Sequence, residues 1–121
     1  MIEFDKNKPI YMQLMNILKF DIASGKISPG EKLKSVREMA GEFNVNPNTM
    51  QRALGELERE ELLYSQRTSG RFVTENKEMI VKMRNSLAKS EINSLKENLL
   101  KLGYEESEIL DVITKSIKEL G

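Results

Sequence analysis

Residues 35–57, SVREMAGEFNVNPNTMQRALGEL, contain two short helix patterns separated by only a few residues. The first pattern begins with Ser35 and Glu38, which have the S-x-x-E spacing of a capping box. In a capping box, a hydroxyl and a carboxylate satisfy backbone amides at the start of a helix. Apolar residues then recur three and four positions apart as far as Phe43, so the sequence predicts a helix over 36–43.

The second helix pattern begins at Asn46, a residue type that caps helices, followed by Pro47, which suits the first helical position. The apolar residues after it fall on one face of a helix: Met50, Ala53, Leu54 and Leu57. We therefore predict a helix over 47–60. Two short helices joined by a tight turn form a helix-turn-helix candidate.

The segments on either side complete a small domain over residues 1–75. Upstream, apolar residues recur at helical spacing over 9–24, between a proline and a glycine. Downstream, residues 62–66 and 71–75 are strand-like, and the Thr-Ser-Gly of 68–70 is typical of a hairpin turn. The hairpin would be the wing of a winged helix-turn-helix domain, so the predicted fold class is mainly α with a small β-wing.

Residues 76–121 contain two amphipathic helix patterns, one reaching about residue 101 and one beginning after Gly103. A tail of two helices cannot enclose a core alone, so we expect its apolar stripes to meet another surface. We interpret the tail as a dimerisation segment in a homodimer. The predicted dimerisation residues are Leu87, Ile92, Leu95, Leu99, Leu102, Ile109, Ile113 and Ile117.

Composition narrows the function. The chain has no cysteine and no histidine, which excludes disulfides, zinc sites built from those residues and catalysis by an imidazole base. We predict no cofactor, no metal and no enzymatic activity. The beginning of the sequence lacks the pattern of a signal peptide and no long apolar run is present, so a cytoplasmic protein without a membrane partner is expected. The net charge is +0, so affinity for DNA must come from the arrangement of charges.

Residues 24–73 resemble the DNA-binding domain of the GntR family of transcription regulators, and the resemblance extends over 9–75. The short helical tail resembles those of the YtrA subfamily, which serve dimerisation and hold no large metabolite domain. The family motifs shared by this sequence are P-G-x-x-L at 29–33, S-x-R-x-x-A at 35–40, N-x-x-T-x-x-x-A-L at 46–54 and G-x-F-V at 70–73.

The resemblance implies which residues contact double-stranded DNA. These are Ser35 and Arg37 in the second helix, Asn48, Thr49, Gln51 and Arg52 in the third, and Arg67, Ser69 and Gly70 in the wing. Arginine forks, hydroxyls and helix N-termini suit phosphate oxygens and base edges. The implied function is a homodimeric transcription regulator, more often a repressor in this family, on a two-fold symmetric operator with half-sites about 10 base pairs apart.

Three positions depart from the family pattern: Lys34 replaces a usual proline, Glu61 a glycine at the end of the third helix, and Thr68 a frequent glycine. At Glu61 either a charged residue takes the left-handed conformation or the helix ends differently. An acidic run, Glu56, Glu58, Glu60 and Glu61, would repel phosphate. It predicts that the third helix docks through its N-terminal half.

Other interpretations compete with this one. Each motif residue alone has a structural explanation, since serine and asparagine cap helices, most surface arginines are solvated and the wing glycine suits a turn. A winged helix can also be a protein-docking module, which the neutral charge favours. An enzyme would need a catalytic pair, and none stands out. A small effector remains possible, although the tail leaves little room for a drug-sized cavity.

Overall fold

The computed structural model describes residues 3–121 and contains, within them, five helices and one two-stranded antiparallel sheet. The predicted fold class, mainly α with a small β-wing, is confirmed. The chain divides into two compact units, one ending at Arg84 and the other comprising Asn85–Gly121. The elements are α1 (Ile10–Ser24), α2 (Val36–Phe43), α3 (Pro47–Arg59), β1 (Leu63–Gln66), β2 (Gly70–Val73), α4 (Lys77–Lys101) and α5 (Glu106–Leu120).

Helix α3 is the centre of the first unit, because α1, α2 and β1 all pack against it. Its apolar face is buried as the sequence predicts, and α1 contributes three buried side chains at helical spacing. The most deeply buried large side chains are Leu14, Met50, Leu54, Leu57, Leu63 and Val73. This core makes α3 a fixed platform, and its polar face is the one left for other contacts.

The starts of α2 and α3 follow from their caps. Ser35 Oγ accepts a hydrogen bond from the Glu38 amide at 3.1 Å, and the Glu38 carboxylate accepts one from the Ser35 amide at 3.3 Å. The capping box is thereby confirmed. Asn46 Oδ1 accepts from the amide of Asn48 at 2.7 Å, and Pro47 occupies the first position of α3. Both helices begin where these residues predict.

Helix α3 ends in a Schellman motif centred on Glu61. The Leu62 amide donates to the Leu57 carbonyl at 3.0 Å, and the Glu61 amide donates to the Glu58 carbonyl at 2.9 Å. This pattern requires a left-handed residue between them, and Glu61 has φ +64°. Of the two alternatives at this position, the charged residue takes the left-handed conformation, and α3 ends at Arg59.

The wing is a short hairpin in which Leu63 pairs with Val73 and Gln66 with Gly70. The second strand was predicted over 71–75 but spans Gly70–Val73, so the prediction begins one residue too late and ends two residues too late. Gly70 already pairs in the ladder, whereas the Thr74 amide donates outside it, to the Leu62 carbonyl at 2.9 Å. The turn consists of the three residues between Gln66 and Gly70.

Residues 31–33 run along the outer edge of β2 and fix the wing to the start of α2. The Leu33 amide donates to the Arg71 carbonyl, and the Val73 amide donates to the Glu31 carbonyl, each at 2.9 Å. Lys32 forms an antiparallel bridge with Phe72, whose ring stacks on Tyr64. The wing is therefore held on both edges of β2, which limits how it can move.

The second unit consists of the later part of α4, a turn and α5. Gly103, with φ +101°, closes α4 in a second Schellman motif, as expected from its position. The Glu108 carboxylate accepts from the Glu105 amide at 2.9 Å at the start of α5, and Lys96 pairs with Glu106 across the turn. Only Ile109 is buried in this unit. Within residues 3–121, no helix has the length and apolar character needed to cross a membrane.

Candidate DNA-binding surface

An open groove of about 570 Å³ separates the N-terminus of α2 from the wing. Four of the residues expected to contact DNA line it together: Ser35, Arg67, Ser69 and Gly70. Ser35 lies more than 30 positions before the other three in the sequence. The groove walls also carry Lys32, Lys34 and Arg71. The lining thus combines four cationic side chains and the carboxylate of Glu38 with three serine hydroxyls and a helix N-terminus. The cations, hydroxyls and helix N-terminus are donors suited to phosphate oxygens.

Ser35 can both cap α2 and contact a ligand. Its Oγ accepts the hydrogen bond from the Glu38 amide, so the cap uses the oxygen and leaves the hydroxyl proton as a donor. Within residues 3–121, Ser35 Oγ donates no hydrogen bond, and its side chain lines the groove. The structural and functional interpretations of this serine are therefore compatible.

The wing side of the groove depends on Gly70. Its φ is +108°, a conformation that side-chain-bearing residues rarely adopt, and a Cβ there would lie 3.4 Å from the Lys32 side chain. Lys32 was missed by sequence reasoning. Its pairing with Phe72 brings it to the groove, and this long-range pairing has no local sequence signal.

Lys34, at one of the positions that depart from the family pattern, forms an ion pair with Glu42 at the other end of α2. The hydrogen bond that the Lys34 ammonium donates to Glu42, followed by the negative charge of Glu42, raises the pKa of Lys34. The side chain stays 60% exposed, so the ammonium can still contribute positive potential to the groove.

The N-terminal half of α3 presents the remaining candidates on its polar face. Asn48 is exposed in the first turn, Thr49 is half-buried, and Gln51 and Arg52 are exposed in the second turn. None of these four residues lines the groove, but Gln51 is joined to it through Arg71. Arg37 is exposed on α2 and also lies outside the groove lining.

Arg52 is not extended into solvent but lies over the ring of Tyr11 in α1, with its guanidinium carbon 3.8 Å from the ring centroid. A guanidinium stacked on an aromatic face is attracted by the ring and keeps its planar N–H groups as donors at the edge. The sequence did not predict the role of Tyr11, because Tyr11 and Arg52 are 41 positions apart and meet only through the packing of α1 on α3. The stack restrains Arg52 before any ligand binds.

Arg71 of β2 connects the wing to α3. Its Nε donates to Glu58 at 3.0 Å and its Nη1 donates to Gln51 Oε1 at 3.3 Å. The same Glu58 oxygen accepts from Ser65 Oγ at 2.7 Å. The hydrogen bond from the Ser65 hydroxyl, followed by the one from Arg71, lowers the pKa of Glu58. Sequence reasoning treated Arg71 only as a wing residue, since no local pattern indicates its partners.

The acidic run on α3 is less repulsive than its sequence suggests. Glu58 faces Arg71, Glu60 pairs with Lys19 at 2.8 Å, and Glu56 pairs with Arg59 at 3.3 Å. Three of the four carboxylates therefore have a cationic partner. All four lie from the third turn of α3 onward, which leaves the first two turns free of negative charge.

A family model described as "Bacterial regulatory proteins, gntR family" matches residues 10–73. The uncharacterized HTH-type transcriptional regulator YhcF of Bacillus subtilis (strain 168) is 34% identical over 119 residues, which cover 98% of each chain. The HTH-type transcriptional repressor YtrA of the same organism is 36% identical over 104 residues, covering 84% of this chain and 75% of YtrA. These relatives are named as regulators of transcription and not as enzymes.

Solved structures agree with these matches. A GntR family transcriptional regulator from Listeria monocytogenes is 38% identical with a TM-score of 0.83, and the match covers 93% of this chain and 98% of that one. The DNA-binding domain of AraR, solved in complex with operator ORR3, is 34% identical with a TM-score of 0.53, over 61% of this chain and 87% of that one. The matched domain, the full-length relatives and the winged fold together show that this chain belongs to the gntR family of bacterial regulatory proteins, in its YtrA-like subfamily.

Proposed function

We propose that this protein is a homodimeric repressor that binds a two-fold symmetric DNA operator through residues 1–75 and dimerises through residues 76–121. The observation that carries the DNA part is the groove between α2 and the wing. It gathers Lys32, Lys34, Arg67 and Arg71 in a chain whose net charge is +0. Such local concentration of cations supplies the phosphate attraction that the overall charge does not.

In this proposal the groove binds the phosphate backbone and α3 enters the adjacent major groove. The Ser35 hydroxyl and the first amides of α2 donate to one phosphate, and Gly70 allows the wing backbone to come close to the strand. Arg37, at the start of α2, contacts phosphate beside the groove. The arrangement resembles other helix-turn-helix domains, in which one helix fixes the register and the next reads bases.

The first two turns of α3 supply the base contacts, since the acidic residues begin only after them. Asn48, Thr49, Gln51 and Arg52 carry hydrogen-bonding groups on this part of the helix, and these are the side-chain types that distinguish base pairs in the major groove. Arg52 reaches the DNA from its stack on Tyr11, so it loses little freedom on binding.

The second unit supports the homodimer. Its 37 residues form two helices with one buried apolar side chain, and a folded unit this small seldom supports a core by itself. Leu87, Leu99 and Ile113 are half-buried in one copy. The exposed apolar side chains in this unit are Ile92, Leu95, Leu100, Leu102, Tyr104, Leu110, Ile117 and Leu120. Clustered apolar exposure of this kind marks an interaction surface, and a second copy of the same helices offers a matching one.

A symmetric dimer places two α3 helices on one side of the duplex, about 10 base pairs apart along it. Repression is the direction we infer, because YtrA is named a repressor and operator occupancy by a small dimer can block polymerase. With Ile109 as its one buried residue, the second unit has no room to enclose a drug-sized effector, so we expect any signal to be small. The site of action is the cytoplasm, where a bacterial chromosome lies.

The test is selection of genomic duplex fragments at low and at physiological salt by the wild-type protein and by Arg67→Ala. Retention of a few fragments sharing an inverted repeat is expected for the wild type. Specific complexes of this kind are typically 10³–10⁷ times tighter than nonspecific ones. Arg67→Ala should weaken binding about tenfold through loss of one phosphate contact.

Lys115→Ala is the matched control, because it also removes one cation but lies on the polar face of α5, where Lys115 pairs with Asp111. It should bind like the wild type. Binding that disappears with salt, shows no sequence preference and is equally weak in both variants would contradict the proposal and favour a protein-docking module.

A further inference from the structure

The side chain of Arg71 lies across one face of α3 and contacts two residues that are two helical turns apart. Gln51 and Glu58 are seven positions apart, so they share a face of the helix, and one guanidinium donates to both. Arg71 also lines the groove, together with Ser35 and Arg67. A wing residue therefore touches a candidate base-reading residue before DNA binds.

The chemistry of the two partners fixes the orientation of the Gln51 amide. A guanidinium has five N–H donors and no acceptor, so only the carbonyl oxygen of the glutamine can face Arg71. The distance from Arg71 Nη1 to Gln51 Oε1 is 3.3 Å. The Nε2 group, with its two N–H donors, is then what Gln51 can offer to another molecule.

Arg71 is itself held in place, which makes this orientation persistent. Its side chain is 19% exposed, and its Nε donates to Glu58 at 3.0 Å. Glu58 is anchored in turn by the hydroxyl of Ser65 on β1, and the hydrogen bonds from Ser65 and Arg71 lower its pKa. An arginine that is already held by a charge-assisted hydrogen bond loses less conformational freedom when it contacts Gln51 than a fully solvated arginine would.

Donor-only glutamine reads a different base from free glutamine. An unrestrained glutamine pairs with adenine by donating to N7 and accepting from the N6 amino group. That pairing needs the carbonyl oxygen to face the adenine N6 amino group, whereas here it is turned toward Arg71. Guanine presents N7 and O6, both acceptors, at the same edge, and an N–H donor can bond to either. The adenine amino group would instead face another donor.

We propose that Arg71 is a specificity-determining residue that orients Gln51 so that α3 selects guanine over adenine at one position of each operator half-site. This inference rests on the proposed function, since it presumes that α3 enters the major groove. Arg71 acts on the base through Gln51, which it positions, and any contact of Arg71 with phosphate is separate from this role.

The experiment is selection of bound duplexes from a pool with randomised half-sites, read out as base frequencies at each position. The wild-type protein should enrich guanine at one position per half-site. Arg71→Met frees the Gln51 carbonyl, and the ratio of adenine to guanine at that position should rise about tenfold, the discrimination of one good side-chain–base pairing. A role of Arg71 in stability or in phosphate attraction alone would lower binding equally for all sequences.

Gln51→Glu is the second variant, because it keeps an acceptor toward Arg71 on an exposed position but has no N–H to donate. Guanine enrichment at the same position should disappear, and cytosine, whose amino group donates, should take its place. This variant decides the matter if Arg71→Met fails to fold, as judged by its circular dichroism melt.

The outcomes separate the inference from the function on which it rests. Guanine enrichment that persists in Gln51→Glu, or an unchanged adenine-to-guanine ratio in folded Arg71→Met, would overturn the role of Arg71 while leaving a specific regulator. Absence of any enrichment with the wild-type protein would overturn both the inference and the proposed function.

Discussion

The two units of this chain differ in how completely they satisfy their own apolar surface. Residues 3–84 contain a core in which α3 is covered by α1, α2 and β1, and six large side chains there are almost fully buried. Residues 85–121 also carry apolar residues on helices, yet Ile109 is the one buried residue and Leu120 is 88% exposed. The two units differ in how much of their apolar surface is covered.

The difference teaches where each unit obtains its stability. In the first unit the buried apolar side chains are covered by other segments of the same chain. In the second unit the partner must come from outside its 37 residues. This division fits the proposed dimer, in which one unit would contact DNA and the other would set the spacing between two such contacts.

The largest effect is expected in the core of the first unit. Leu57 is 0% exposed, and Leu57→Ala removes apolar contacts and leaves a cavity. Substitutions of this kind cost about 2–5 kcal/mol, a large part of the roughly 5–15 kcal/mol that stabilises a typical domain. Urea unfolding followed by circular dichroism measures the loss.

Leu57→Met is the control for Leu57→Ala, because it preserves volume and should cost less than about 1.5 kcal/mol. Equal stabilities for Leu57→Ala and the wild type would mean that this unit does not depend on its own core. The conclusion that the first unit is stabilised by its own buried core would then be wrong.

An intermediate effect is expected on the exposed face of the second unit. Ile117 is 63% exposed in one copy, so Ile117→Lys leaves the folding of residues 3–84 intact but puts a charge into the proposed dimer contact. We expect dimerisation to weaken at least about tenfold, or about 1.4 kcal/mol, as measured by analytical ultracentrifugation. Binding to a two-half-site operator should weaken with it, whereas binding to a single half-site should not.

Asp111→Lys is the matched variant for Ile117→Lys. It places a lysine on the opposite, polar face of α5 at the cost of one exposed ion pair with Lys115, which contributes little. It should remain dimeric. If both lysines disrupt the dimer equally, or neither does, the apolar stripe of α5 is not the contact.

Much of the first unit could be predicted because its signals are local. The capping box of Ser35 with Glu38 and the Asn46-Pro47 start define α2 and α3, and the predicted bounds of α2 are those observed. Caps and helical periodicity operate within a few residues, so a sequence carries them directly. The strand-like segments and the Thr-Ser-Gly turn predicted the wing, although the ends of β2 became visible only in the strand pairing itself.

The contacts that organise the candidate site could not be predicted in this way. Arg71 meets Gln51 across 20 residues and Glu58 across 13, and Tyr11 meets Arg52 only because α1 packs on α3. The groove also depends on Lys32, which β2 brings into place. Such pairings follow from tertiary packing and have no sequence pattern of their own.

The smallest effect concerns the two Schellman motifs, one in each unit, which differ in their left-handed residue. Glu61 ends α3 with φ +64°, whereas Gly103 ends α4 with φ +101°. A side chain in this conformation costs about 1–2 kcal/mol, partly offset because glycine has more freedom in the unfolded chain. We therefore expect Glu61→Gly to raise the free energy of unfolding by about 0.5–1 kcal/mol, measured by urea denaturation.

Gly103→Ala should have the opposite sign and lower the stability of the second unit by about 1 kcal/mol, since only its conformation resists the change and no atom lies within 4 Å of the new Cβ. Gly55→Ala is the control that separates the effect of the left-handed conformation from the general effect of replacing a glycine by alanine. Gly55 is helical, its added Cβ also meets nothing within 4 Å, and alanine there should stabilise α3 by about 0.5–1 kcal/mol. If Glu61→Gly instead destabilises the protein, the contacts of the Glu61 side chain contribute more stability than its left-handed backbone conformation costs. The left-handed position at the end of α3 would then favour glutamate, unlike the one that Gly103 occupies at the end of α4.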